Sequence, residues 1–105
     1  MPDLAYDGHV VQVNPEGFLL DKQQWTPALA EVLATKAGIG RLTERHWKVI
    51  TFCREDAARE GQPPGLRRIA KLSGVEMKEL YRLFPKGPGK LAALVAGLPK
   101  PQGYV

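Results

Sequence analysis

The sequence predicts an α+β domain that is mostly helical, with about five helices, a helix-turn-helix-like pair among them, an N-terminal β-hairpin and an extended C-terminal arm. Three observations carry that expectation. β-Branched residues and turn dipeptides fill the first twenty residues, capping signals and helical spacing run from Thr26 to Ala96, and closely spaced prolines mark the end. At 105 residues the chain suits one domain. We expect it to divide into a domain at 1–96 and a flexible arm at 97–105.

At the N-terminal end, Asp7-Gly8 is a hairpin dipeptide, because both residues tolerate positive φ. His9-Val10-Val11-Gln12-Val13 reads as a strand, and Asn14-Pro15-Glu16-Gly17 as a turn leading to Phe18-Leu19-Leu20. A hairpin or small meander follows, which needs helices to lie against.

The helices announce themselves by their ends. Thr26-Pro27 places a capping hydroxyl before a proline at the first helical position, and Leu29, Val32, Leu33 and Lys36 follow before Gly38. Thr43 caps the next helix, with Glu44 in its first turn. Trp47, Ile50, Cys53, Arg54 and Ala57 share a face of that helix, widened by Val49 and Phe52 and ended by Gly61-Gln62-Pro63-Pro64. Leu66 to Leu72 and Glu76 to Phe84 predict two short helices about Ser73-Gly74-Val75, with Ile69, Ala70, Val75 and Leu80 turned inward. Pro85-Lys86-Gly87-Pro88-Gly89 breaks the chain before a small apolar helix from Lys90, or from Pro88, to Ala96. In the remainder, Pro99 and Pro101 favour an extended backbone.

Composition narrows the function classes. One cysteine, Cys53, rules out an intrachain disulfide and favours a reducing compartment. With no secretory pattern at the N-terminus and no apolar run of membrane-spanning length, we expect a cytoplasmic protein without a membrane partner. The net charge of +4 is uneven: residues 1–60 hold seven basic and nine acidic side chains, residues 61–90 seven basic and two acidic. The basic segment suits nucleic acid, an acidic protein partner or simply a solvated helical face. Arg67, Arg68, Lys71, Lys78 and Arg82 are the candidate nucleic-acid contacts. Against DNA reading stand Glu76 and Glu79 on the second short helix and the lack of Asn, Gln or Ser there to read bases.

Nothing in the sequence supports an active site, a cofactor or a metal centre. His9 and His46 fall in different elements without further ligands at metal spacing, so His46 reads as a partly buried or surface histidine. Cys53, spaced helically from Ile50 and Ala57, reads as a small core hydrophobe.

The tail carries a resemblance. Phe84-Pro85-Lys86-Gly87-Pro88-Gly89-Lys90, then Ala96-Gly97-Leu98-Pro99-Lys100-Pro101-Gln102-Gly103 and Val105, resembles the C-terminal signature of the DsrC/TusE sulfur-relay family. Gly17-Phe18-Leu19, Trp25, Leu42-Thr43-Glu44, His46-Trp47 and Leu80-Tyr81 extend the likeness over nearly the whole chain. The resemblance implies a mobile arm whose next-to-last cysteine carries sulfur as a persulfide, in tRNA 2-thiolation or beside dissimilatory sulfite reductase. It further implies, for members of the latter kind, a second cysteine on the preceding helix. In this chain those places hold Tyr104 and Ala93.

A thiol with a pKa of about 8.5 can be partly ionised and form a persulfide, whereas a phenol with a pKa of about 10 cannot form one. The expectation is therefore a non-enzymatic, non-redox relative that binds or regulates a protein partner, itself of the sulfur-relay or sulfite-reductase kind. Its recognition arm would present Pro99, Lys100, Pro101, Gly103, Tyr104 and Val105. The alternatives are a small helix-turn-helix DNA-binding protein, a residual sulfur carrier through Cys53, and a drifting paralogue without a selected role.

Overall fold

A computed structural model describes residues 3–101 of the chain. Two strands, β1 (Asp3–Tyr6) and β2 (His9–Gln12), pair antiparallel, with Asp3 opposite Gln12 and Tyr6 opposite His9. The turn between them has Asp7 at φ 45° and Gly8 at φ 78°, the left-handed pair that the Asp-Gly dipeptide favours. The expected third strand reduces to one bridge, Val13 to Leu19. Asn14 holds that bend: its side-chain Oδ1 accepts from the backbone N–H of Glu16 at 2.9 Å and of Phe18 at 3.0 Å. Leu4 and Val11 face inward, while Val10 stays exposed.

A short 3-10 turn at Lys22–Gln24, which the sequence reading had not anticipated, leads into five helices. These are α1 (Pro27–Lys36), α2 (Glu44–Glu60), α3 (Leu66–Leu72), α4 (Met77–Leu83) and α5 (Pro88–Val95). Thr26 caps α1 through its hydroxyl, and Thr43 caps α2 in a reciprocal box with His46.

His46 is buried. Its Nδ1 accepts from the Thr43 N–H at 3.0 Å, which leaves the proton on Nε2 to donate to the Leu83 carbonyl at 2.9 Å. A residue expected to be partly buried or on the surface thus pins the start of α2 to the end of α4.

α5 is the centre of the molecule and packs against the other four helices. Its sequence is apolar all round apart from Lys90, which is what a helix surrounded by other elements requires. Ala92 and Ala93 let neighbours approach closely, and residues 91–98 are all buried. Phe18, Leu29, Ile50, Ile69, Leu80 and Phe84 complete the core around it.

Two helices with a short turn, α3 and α4, form as expected, with Ile69, Val75 and Leu80 fully buried and the Ser73 Oγ accepting from the Val75 N–H at 3.1 Å. Behind them lies a buried acid. Asp56 on α2 is fully buried and accepts from Arg68 at 2.8 Å through both carboxylate oxygens and from Arg59 at 3.0 Å.

Candidate functional site at the root of the C-terminal arm

The chain leaves α5 through a tightly determined turn. Gly97 adopts φ 73°, its N–H donates to the Leu94 carbonyl at 3.1 Å, and the Leu98 N–H donates to the Ala93 carbonyl at 2.9 Å. This is a Schellman ending, which satisfies two of the last helical carbonyls within the backbone. Side chains from far away take the next two. Trp25 Nε1 donates to the Val95 carbonyl at 2.9 Å, and Arg54 Nη1 donates to the Ala96 carbonyl at 2.7 Å.

Arg54 also lies over the Trp25 ring, 3.9 Å from its centroid. No carboxylate faces this guanidinium among the described residues, and burial draws it down from the ordinary arginine value. The negative end of the α5 dipole and the face of the indole supply the compensating charge. Gly97 is obligatory for a second reason: a Cβ there would stand 2.4 Å from Trp25 Cδ1. The floor under the arm is therefore built from Trp25, Arg54 and α5 together.

Beyond the turn, Leu98 is buried, Pro99 and Lys100 are exposed, and Pro101 is buried again. Lys100 Nζ donates to Glu16 Oε2 at 3.2 Å, and Lys90 of α5 reaches the same oxygen at 3.2 Å. Lys100 first, then Lys90, holds the Glu16 carboxyl below the usual carboxylate value. Gly97 and Leu98 close α5 with their amides, and Leu98 is buried against its end. Of the six arm residues singled out, Pro99, Lys100 and Pro101 are brought against the domain, and Gly103, Tyr104 and Val105 lie outside the described residues.

Cys53 sits inside α2 with 1% exposure, and burial, helped by the charge of Asp56, pushes its thiol up to about 12. At neutral pH it holds almost no thiolate. Ala93, where the resemblance puts a second cysteine, is 1% exposed beneath the Leu98 amide.

The basic candidates divide. Arg68 is not free for phosphate, because both of its hydrogen bonds go to buried Asp56. Arg67, Lys71, Lys78 and Arg82 are exposed and make no ion pair among the described residues. Glu79, beside them, is engaged by Arg45 at 2.7 Å. Among the described residues no group of three or more His, Cys, Asp or Glu could hold a metal ion, and no helix is long and apolar enough to cross a membrane.

Sequence reasoning missed Arg54 and Glu16 as arm-setting residues. A cationic residue on the apolar stripe of α2 was the available signal for Arg54. For Glu16, a turn residue, sequence held none.

A family model described as DsrC like protein matches residues 5–105. The chain belongs to the DsrC family. Among the relatives of this DsrC-family chain is the dissimilatory-type sulfite reductase subunit gamma of Nitratidesulfovibrio vulgaris, 39% identical with both chains covered entirely. Another is the sulfurtransferase TusE of Pectobacterium atrosepticum, 40% identical over 93% of this chain and 95% of that one. The crystal structure of the oxidized gamma subunit (DsrC) of dissimilatory sulfite reductase from Archaeoglobus fulgidus superposes with a TM-score of 0.85, at 36% identity, covering 99% of this chain and 100% of that one. The helical DsrC architecture, hairpin included, is thus that of this chain.

Proposed function

We propose that this DsrC-family protein is a non-redox member that binds a protein partner through its C-terminal arm and carries no sulfur itself. The observation that carries the reading is chemical: the single cysteine of the chain is Cys53, buried in α2 with a thiol pushed up to about 12. Persulfide formation needs an accessible thiolate, and the arm, with Tyr104 and no thiol, offers none. The positions of the family's cysteines are taken by Ala93 and Tyr104. The molecule acts by occupation instead of by catalysis, in the cytoplasm.

Relatives named as a sulfite reductase subunit and as a sulfurtransferase support a partner of the sulfite-reductase or sulfur-relay kind. Tyr104 supplies an aromatic anchor, since such side chains bury a large area with few rotamers to restrict. The prolines at 99 and 101 limit the entropy lost on insertion. DNA binding is not carried forward, because Arg68, one of the candidate contacts, is held by buried Asp56, and the second short helix offers no Asn, Gln or Ser to read bases.

The test uses a purified sulfite reductase of the dissimilatory type and a persulfide-loaded relay protein as baits. Native protein should bind one of them, Tyr104→Ala should bind at least tenfold more weakly, and intact mass after exposure to the persulfide donor should be unchanged. Sulfur that appears on Cys53 and passes to an acceptor, or Tyr104→Ala binding as tightly as native, would overturn the proposal.

A further inference from the structure

The two short helices α3 and α4 turn a row of positive charge outward. In α4 the buried residue is Leu80, and Lys78 and Arg82 stand two positions before and after it. At about 3.6 residues per turn, those positions lie on the side of the helix away from the core. In α3, which packs against α4, Arg67 and Lys71 hold the same places about buried Ile69. All four are exposed, and none is paired with an acid among the described residues. Like charges four apart on a helix repel, so each pair gains from an anion brought against it.

The acids of α4 do not supply that anion. Glu79 is turned to α2, where its two carboxylate oxygens accept from Arg45 at 2.8 and 2.7 Å. Glu76, the N-cap residue, precedes Leu80 by one turn and so shares its ridge instead of that of Lys78. Beside the cationic ridge of α4 runs an apolar one. Met77 is 36% exposed and Tyr81 50%, and their spacing of four sets them side by side. Aliphatic surface next to charge favours a protein over a nucleic acid, whose phosphates and base edges are met chiefly by hydrogen bonds. Met, Tyr and Arg are also the residue types that protein interfaces gather, and Met adapts its shape to what it meets.

We propose that the outward face of α4 is a docking surface for an acidic amphipathic helix of a protein partner. Met77 and Tyr81 take the apolar ridge of that helix, and Lys78 and Arg82 take the carboxylates along its flank. Arg67 and Lys71 on α3 add to the field that draws it in. The face is a second surface, and it does not rest on reading the C-terminal arm as a recognition element. Salt screens attraction between exposed charges and leaves apolar contact in place, so the two halves of the face can be read apart.

Fluorescence anisotropy on the full chain tests it, with a labelled synthetic helix as the probe. The probe carries Leu along one ridge and Glu along the adjoining one. It should bind native protein, with a Kd that rises steeply as salt is added. Exchanging every Glu of the probe for Gln, or combining Lys78→Glu with Arg82→Glu in the protein, should weaken binding about tenfold. Met77→Ala combined with Tyr81→Ala should weaken it about as much. All four side chains are exposed, so Tm should stay close to native in these variants. Removing residues 99–105 should leave Kd unchanged. An acidic probe that does not bind would overturn the proposal, as would binding indifferent to Met77 and Tyr81, or binding lost with the arm. Single-stranded RNA or duplex DNA that binds through the same cations more tightly than the probe would also overturn it and assign the face to nucleic acid. Failure here beside intact, Tyr104-dependent binding of a sulfite reductase would remove this surface and leave the arm. Probe binding that persists without any Tyr104-dependent binding would do the reverse.

Discussion

Trp25 and Val95 are seventy residues apart in sequence and joined by a 2.9 Å hydrogen bond from the indole Nε1 to the carbonyl. The bond ties the loop before α1 to the last residue of α5, and the same ring carries Arg54 on its face and Gly97 against its edge. The direction in which the C-terminal segment leaves the domain is therefore set by three elements at once. An arm that must find a cleft in a partner gains from such a fixed root, because fewer orientations are lost on binding.

Gly97→Ala should be strongly destabilising. A left-handed conformation costs an L-residue about 1–2 kcal/mol, and the new Cβ would also collide with Trp25 Cδ1 at 2.4 Å. Thermal unfolding should show a clear fall in Tm for Gly97→Ala. Combined with Trp25→Ala, the loss should be smaller than the sum of the two single losses, because the collision is gone. Strict additivity would show that Trp25 does not press on Gly97.

Where the arm is cut should matter. Removing residues 99–105 deletes exposed Pro99, the Lys100 ion pair and Pro101, and should lower Tm only slightly. Removing 97–105 also deletes Leu98, 5% exposed, and the two amides that close α5. Burial of a leucine side chain is worth about 1.5–3 kcal/mol, so the longer deletion should cost at least about 2 kcal/mol more. Equal Tm values for the two truncations would place Leu98 outside the core.

Asp56 should give the stability an acid-sensitive component. Hydrogen bonds from Arg68, above all, hold its carboxyl below the ordinary value of 3.8 in the folded state. Folding therefore favours the ionised form, and the contribution is complete above the unfolded value. It declines as pH falls below that value toward the lower folded one. Asp56→Asn should be less stable than native near neutral pH, by about 2 kcal/mol for a buried pair whose arginines remain half in water. The difference should narrow below about pH 4, as urea unfolding at several pH values will read. Arg67→Ala, one residue from Arg68 but exposed, should change little.

Cys53 should react slowly. With 1% exposure and a thiol pushed up to about 12, labelling by a thiol reagent at neutral pH should await unfolding and speed up sharply in denaturant. Cys53→Ala should lose on the order of 1 kcal/mol. Labelling at the rate of a free thiol in native conditions would put the sulfur at the surface.

The helices were legible because their signals are local. Thr26 and Thr43 before their helices, Gly61 after α2, and the apolar spacing of Val49, Ile50 and Cys53 are settled by neighbours within a turn or two. The hairpin turn at Asp7-Gly8 is local in the same way, since the dipeptide itself favours the left-handed pair. That Cys53 is the single cysteine of the chain was equally plain, because a residue count needs no fold.

What the sequence alone did not contain is the partnership across distance. That Arg68 belongs to Asp56, that Glu16 holds Lys100, and that Trp25 and Arg54 meet over the end of α5 depend on how five helices and a hairpin pack. Side chains that look alike in the sequence, Arg67 and Arg68 for instance, part company only when one of them faces a buried carboxylate. The same holds at the end of α5: that Leu98 is buried and that Gly97 lies against an indole come from the packing and not from the residues around them. Local conformational preference writes the elements, and only close packing assigns each polar group its partner.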